Sequence, residues 1–179
     1  MAAEGGSIIR YVYRGEVGEI ISREATHITV DKDCTIILSN AFREHPNIFE
    51  VIFHEGVEKI ERQAFAHCFS MRRVIMPGVK IVREGAFYGC PALEDVEYGM
   101  LEIIKDGAFH GRKSLRGISL PSARIFESHA FLHCRELVDV KFGNKLERID
   151  REAFLNCTSL ERITLPLKDS LMTARNIFI

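Results

Sequence analysis

An Ala-Phe pair returns along this chain at Ala41-Phe42, Ala64-Phe65, Ala86-Phe87, Ala108-Phe109, Ala130-Phe131 and Ala153-Phe154, with spacings of 23, 22, 22, 22 and 23 residues. A period this regular brings equivalent buried side chains back to the same place on successive turns of backbone, so each unit is one coil of a stack. The neighbours of the pair repeat with it. Six residues after each Phe stand Ile48, Met71, Leu93, Leu115, Leu137 and Leu160; nine after stand Val51, Val74, Val96, Ile118, Val140 and Ile163. Eleven after come Phe53, Met76, Tyr98, Leu120, Phe142 and Leu165. The last two positions alternate with mostly polar neighbours, the two-residue period of a strand with one buried face.

A turn follows each strand, as in Met76-Pro77-Gly78, Leu120-Pro121-Ser122 and Phe142-Gly143-Asn144. Pro and Gly end the strand there. A second apolar pair succeeds each turn: Val57 and Ile60, Val79 and Val82, Leu101 and Ile104, Ala123 and Phe126, Leu146 and Ile149. A lone coil of 22 residues buries too little to offset the entropy of ordering it, whereas stacked coils share their faces and ladder their backbones.

The unit, clearest in Ala64-Phe-Ala-His-Cys-Phe-Ser-Met-Arg-Arg-Val-Ile-Met-Pro77 and Ala153-Phe-Leu-Asn-Cys-Thr-Ser-Leu-Glu-Arg-Ile-Thr-Leu-Pro166, resembles the BspA-type leucine-rich repeat. The opening, Tyr11-Val-Tyr-Arg-Gly15 followed by Thr26-His-Ile-Thr-Val-Asp31, resembles single-domain members expanded in unicellular algae. The resemblance implies a right-handed leucine-rich-repeat solenoid of short stacked parallel β-strands, turns and short helical segments, about six coils of 22–23 residues. For function it implies protein recognition or surface adhesion.

Three segments are expected. Residues 1–24 read as an N-terminal capping hairpin, 25–170 as the solenoid, and 171–179 as the start of a further, truncated repeat, with Asn176-Ile-Phe178 where another Ala-Phe pair would fall. A partial coil opens the stack, because Ile28 and Val30 align with Val51 and Phe53.

Charge narrows the partners. Twenty-four Lys plus Arg against twenty-five Asp plus Glu leave a net charge of -1, so no electrostatic excess favours nucleic acid or anionic lipid. No apolar run approaches the ~20 residues of a membrane span, and Met1 to Ser7 lacks the pattern of a secretory signal. Five cysteines, an odd count, fit a reducing compartment, so a cytoplasmic or nuclear address is expected, extracellular only if a signal peptide lies upstream.

Cys68, Cys90, Cys134 and Cys157 all stand three residues after the repeat Phe, with His45 and Arg112 in the corresponding places of two other units. Equivalent positions on stacked coils form a line, whereas zinc needs four converging ligands, so these cysteines read as core packing and no metal or other cofactor is expected. A disulfide between Cys68 and Cys90, or between Cys134 and Cys157, is compatible with the coil spacing. No nucleophile, phosphate-binding or metal-protease motif occurs, and the chain reads as a non-enzyme.

Recognition is left to the exposed face of the strands, eight and ten residues after each Phe. One column there reads Glu50, Arg73, Asp95, Gly117, Asp139 and Arg162, the other Ile52, Ile75, Glu97, Ser119, Lys141 and Thr164. Ile52 and Ile75 on adjacent coils read either as ordinary strand preference or as an apolar anchor framed by Glu50, Arg73, Asp95 and Glu97, the arrangement of a protein-binding hot spot. The leading expectation is a protein-protein interaction module. Two alternatives stand beside it: an extracellular adhesion domain, and a structural unit that self-associates through an uncapped C-terminal coil.

Overall fold

The computed structural model describes residues 7–112 and 114–178. In chain order its strands are β1 (Arg10–Tyr13), β2 (His27–Val30), β3 (Ile36–Ile37), β4 (Glu50–Ile52), β5 (Lys59–Ile60), β6 (Arg73–Met76), β7 (Ile81–Val82), β8 (Asp95–Tyr98), β9 (Ile103–Ile104), β10 (Gly117–Leu120), β11 (Ile125–Phe126), β12 (Asp139–Phe142), β13 (Arg148–Ile149), β14 (Arg162–Thr164) and β15 (Met172–Thr173). Every pairing is parallel and joins equivalent positions of successive coils, as in Val51 opposite Val74 and Ile60 opposite Val82. The result is a parallel β-solenoid of about seven turns. One face carries the longer strands, in the orders β1-β2-β4-β6-β8 and β10-β12-β14; the other is a continuous seven-stranded ladder from β3 to β15.

The repeat Phe residues build the core. Successive rings lie 4.8 Å apart for Phe42 and Phe65, then 5.3 Å for Phe65 to Phe87 and for Phe87 to Phe109. These three contacts are nearly parallel stacks, so the coil spacing sets the ring spacing. The Ala before each later Phe, from Ala64 to Ala153, is wholly buried, where a larger side chain would push the coils apart.

Each Phe lies between two left-handed residues, two before and two after: Asn40 and Glu44, Gln63 and His67, Gly85 and Gly89, Gly107 and Gly111, His129 and His133, Glu152 and Asn156. Left-handed residues interrupt a right-handed helix. The short helical segments expected between strands are therefore hydrogen-bonded turns, and no helix occurs among the described residues.

The hairpin expected over 1–24 is also corrected, for the part that lies within the described residues. β1 is a single strand laid parallel on β2, with Tyr11 opposite Ile28 and Tyr13 opposite Val30. It is one more rung. Tyr13 covers the first Phe, its ring 4.9 Å from Phe42, and its hydroxyl accepts the Leu38 N–H at 3.2 Å. The turn after β1 is gathered by the Glu19 carboxylate, which accepts the N–H groups of Arg14 at 3.0 Å and Gly15 at 2.9 Å and the Tyr11 hydroxyl at 2.9 Å. At the other end, β15 pairs with β13, and Phe178 lies 6.3 Å from Phe154.

One step of the strand face is broken. At the other steps two adjacent amides share one carbonyl of the preceding coil: Arg72 and Arg73 onto Phe49, Glu94 and Asp95 onto Arg72, Val138 and Asp139 onto Arg116. The corresponding bonds from Arg116 and Gly117 to Glu94 are missing. No Cα of β8 lies within 8 Å of a Cα of β10, although β9 and β11 behind them remain paired. The stack opens on one side only.

The side chains at this step explain the opening. Arg112 takes the place that cysteine holds in four coils, and it is 1% exposed. The cysteines fit because each thiol donates to a carbonyl of the preceding coil, as Cys68 to Phe42 at 3.0 Å and Cys90 to Phe65 at 3.0 Å. A guanidinium is too large for that slot. Arg112 lies over the Phe109 ring with its carbon 4.4 Å from the centroid and 5.9 Å from that of Phe87, so it is wedged between the two coils.

Candidate functional site

Strands β4, β6 and β8 bring the six candidate residues together in two columns. Glu50, Arg73 and Asp95 are register partners in one; Ile52, Ile75 and Glu97 are register partners in the other. Alternation along each strand sends Val51, Val74 and Val96 inward and these six outward.

Arg73 is the centre of charge. Its guanidinium meets Glu97 at 2.6 Å, Asp95 at 3.0 Å and Glu50 at 3.5 Å. The contact with Asp95 is an ion pair without hydrogen-bond alignment, since Nε has no hydrogen-bond partner. The hydrogen bond that Arg73 donates to Glu97, with the surrounding carboxylates, raises the Arg73 pKa above its ordinary value. Such exposed pairs add little stability. They do hold Arg73 across three coils and leave three carboxylates against one guanidinium.

The isoleucines belong to a longer stripe than the six positions suggest. Register continues from Ile75 through Ile52 to Thr29 on β2 and Val12 on β1. Val12 is 47% exposed and Ile52 37%. Phe49, 43% exposed at the edge of β4, lies beside His27 at 5.8 Å between ring centroids and under Arg72 at 5.9 Å. Thr29 could have been placed from the alignment of Ile28 and Val30 with Val51 and Phe53. Val12 was hidden by reading its segment as a hairpin.

A second stripe lies on the opposite ladder, where Ile81, Ile103 and Ile125 are register partners. All three are half-buried. The ion pairs Lys80 to Glu58 at 2.7 Å and Arg124 to Glu147 at 2.9 Å flank that ladder.

The cysteines are all free, and only Cys157 among them is not fully buried. Burial pushes the Cys68 thiol up and the Cys90 thiol up to about 11, which keeps both protonated and unreactive. Among the described residues no group of three or more His, Cys, Asp or Glu is placed to hold a metal ion. A ridge of rings, His67, Tyr88, His110 and His133, runs along the turns at centroid separations of 5.3, 4.5 and 5.4 Å. Beside it His129 bridges coils, with Nδ1 3.0 Å from Asp106 and Nε2 2.7 Å from Glu152. No helix among the described residues is long and apolar enough to cross a membrane.

The sequence matches the family described as BspA type leucine rich repeat region, in six copies, over residues 22–122 and 80–177. No curated protein matches it. Among solved structures the chain is similar to the Treponema pallidum (T. pallidum) leucine rich repeat protein, with 23% identity, 93% of this chain and 73% of that one covered, and a TM-score of 0.72. A leucine-rich repeat protein from Bacteroides ovatus is similar at 24% identity and a TM-score of 0.74, over 84% of this chain and 42% of that one. The pneumococcal vaccine antigen PcpA is similar at 21% identity and a TM-score of 0.58, over 90% of this chain and 55% of that one. At these identities the likeness speaks for the fold.

Proposed function

The chain belongs to the BspA-type leucine-rich-repeat family, and we propose that it is a non-catalytic module that binds another protein on the outer face of β4, β6 and β8. The observation that carries this reading is the pairing of Ile52 with Ile75 in register on the solvent side, continued by Val12 and bounded by Arg73 and its three carboxylates. Apolar groups at the centre of a polar rim are the usual anatomy of an interface. The excess of carboxylates over guanidinium favours a partner with a basic rim. Repeats of this kind generally mediate protein-protein interaction, and an extended strand face suits an extended partner surface.

Arg73→Glu combined with Ile75→Asp tests the assignment. Both side chains are on the surface, so the thermal midpoint should stay near that of the unaltered chain. Capture of the partner that the unaltered chain retains should be lost; undiminished capture by the double variant would overturn the assignment. The free cysteines favour a reducing compartment, and on this reading a fluorescent fusion would localise to the cytosol or nucleus.

A further inference from the structure

The opening between β8 and β10 has features that neither neighbouring step shares. Its two walls are strand edges, with the amides of Arg116 and Gly117 on one side and the carbonyl of Glu94 on the other, all left without the backbone bonds made at the other steps. Unpaired backbone groups facing each other ask for a backbone between them. Paired strands lie about 4.8 Å apart and a strand inserted between two others separates them by about twice that. The Cα separation beyond 8 Å across this gap is on the way to the second spacing.

The floor of the gap is apolar and partly open. Val96 and Tyr98 are half-buried, while Val74 and Met76 at the same places one coil earlier are closed to solvent. Gly117 stands where the other coils carry Glu50, Arg73, Asp95, Asp139 and Arg162, and a Cβ built on it would meet nothing closer than the Asp139 carbonyl at 3.7 Å. No side chain screens that lip. Beneath lies Arg112, 1% exposed, whose Nε and Nη2 have no hydrogen-bond partner. A buried cation without a counter-charge is rare, because proteins pair or hydrogen-bond such groups. The other polar residue at this place, His45, is satisfied, its Nε2 2.9 Å from the Ser22 carbonyl.

We propose that the slot between β8 and β10 receives one extended peptide strand of a partner protein, parallel to its neighbours, that carries an apolar residue and, two residues later, an Asp or Glu whose carboxylate pairs with Arg112. The peptide backbone supplies the acceptor for Arg116 and Gly117 and the donor for Glu94. Its apolar side chain covers Val96 and Ile118. The next inward side chain, two residues on, lies at the level of Tyr98 and Leu120, between the two coils whose Phe87 and Phe109 rings Arg112 lies over. This site is separate from the face around Ile75 and extends the binding-module reading by a second, sequence-selective contact. Strand addition supplies affinity through main-chain bonds and selectivity through alternate side chains.

The test uses the isotopically labelled full chain and two capped peptides, Ser-Thr-Val-Thr-Glu-Thr and the same sequence with Gln for Glu, followed by amide chemical shifts. The Glu peptide should shift Asp95 to Tyr98 and Arg116 to Leu120 and bind at least tenfold more tightly than the Gln peptide. Arg112→Met, which keeps length and removes charge, should abolish that preference, and Ile75→Asp should leave it intact. Equal affinity for the two peptides, no shift in these segments, or the same shifts produced by acetate at the peptide's concentration would overturn the proposal. Partner capture undiminished by Arg73→Glu/Ile75→Asp, with the peptide preference retained, would refute the first site alone.

Discussion

Replacing Arg112 by the cysteine that four other coils carry at its place should stabilise the protein. Burial pulls the Arg112 pKa down to about 10. At about 1.4 kcal/mol per pH unit of displacement, holding its charge in the core costs about 3 kcal/mol at neutral pH. The folded protein binds this proton less well than the unfolded chain, so the penalty is present at all pH values below about 10 and is relieved only above it. Removing the wedge also lets β8 and β10 approach, and the two amides of Arg116 and Gly117 regain hydrogen bonds worth about 1 kcal/mol each. Against this stand the lost contact with the Phe109 ring, about 2 kcal/mol when desolvated, and unfilled volume at about 1 kcal/mol per methyl-sized void. The balance is a gain of about 2 kcal/mol, or about 4 to 8 °C in melting temperature for a domain of this size. Differential scanning calorimetry measures the gain, and hydrogen exchange of the Arg116 and Gly117 amides reports the closure. Arg112→Met separates the causes: it should recover part of the stability while those amides continue to exchange at loop rates. A lower melting temperature for Arg112→Cys, with both amides still unprotected, would refute the wedge.

Three further outcomes follow from the packing. Gly78→Ala should cost about 3 kcal/mol or more, since its new Cβ would collide with the Glu55 carbonyl of the preceding coil and backbone cannot give way as a side chain does; urea denaturation measures it. Phe87→Ala, at the middle of the ring stack, should cost about 3 to 5 kcal/mol in the same experiment. His129 supplies a pH dependence. Although burial lowers its pKa, the hydrogen bonds to Asp106 and Glu152 raise it on balance, so its contribution is full below the ordinary imidazole pKa and is lost as pH rises through the elevated value. His129→Gln should remove that portion of the decline in melting temperature between mildly acidic and mildly alkaline pH.

The repeat itself was legible because buried side chains at fixed spacing leave no other way to stack. The turns were less so. Six of the coils need two left-handed residues each, but His67, His133 and Glu152 fill such positions where glycine would have announced them. A run of polar residues around Ala-Phe then looks helical. Parallel pairing of β1 was masked for a similar reason, since Arg14-Gly15 resembles a hairpin turn and only the closing of Tyr13 onto Phe42 shows it to be a rung. The two outward columns were readable from alternation alone. The reach of Arg73 to three carboxylates was not, because it depends on where a long side chain settles between coils. Arg112 was visible as the odd residue in a column of cysteines, yet its consequence, a ladder split on one side, arises from volume and charge in three dimensions.

On the proposed reading, the face of β4, β6 and β8 recognises a protein partner. Affinity capture with the unaltered chain and with Arg73→Glu/Ile75→Asp, at matched concentration and with both melting curves recorded, tests it most directly. The expected result is a partner retained by the first and absent from the second, with melting temperatures that agree within about 2 °C, as surface substitutions should. The same partner retained equally by both proteins would contradict it.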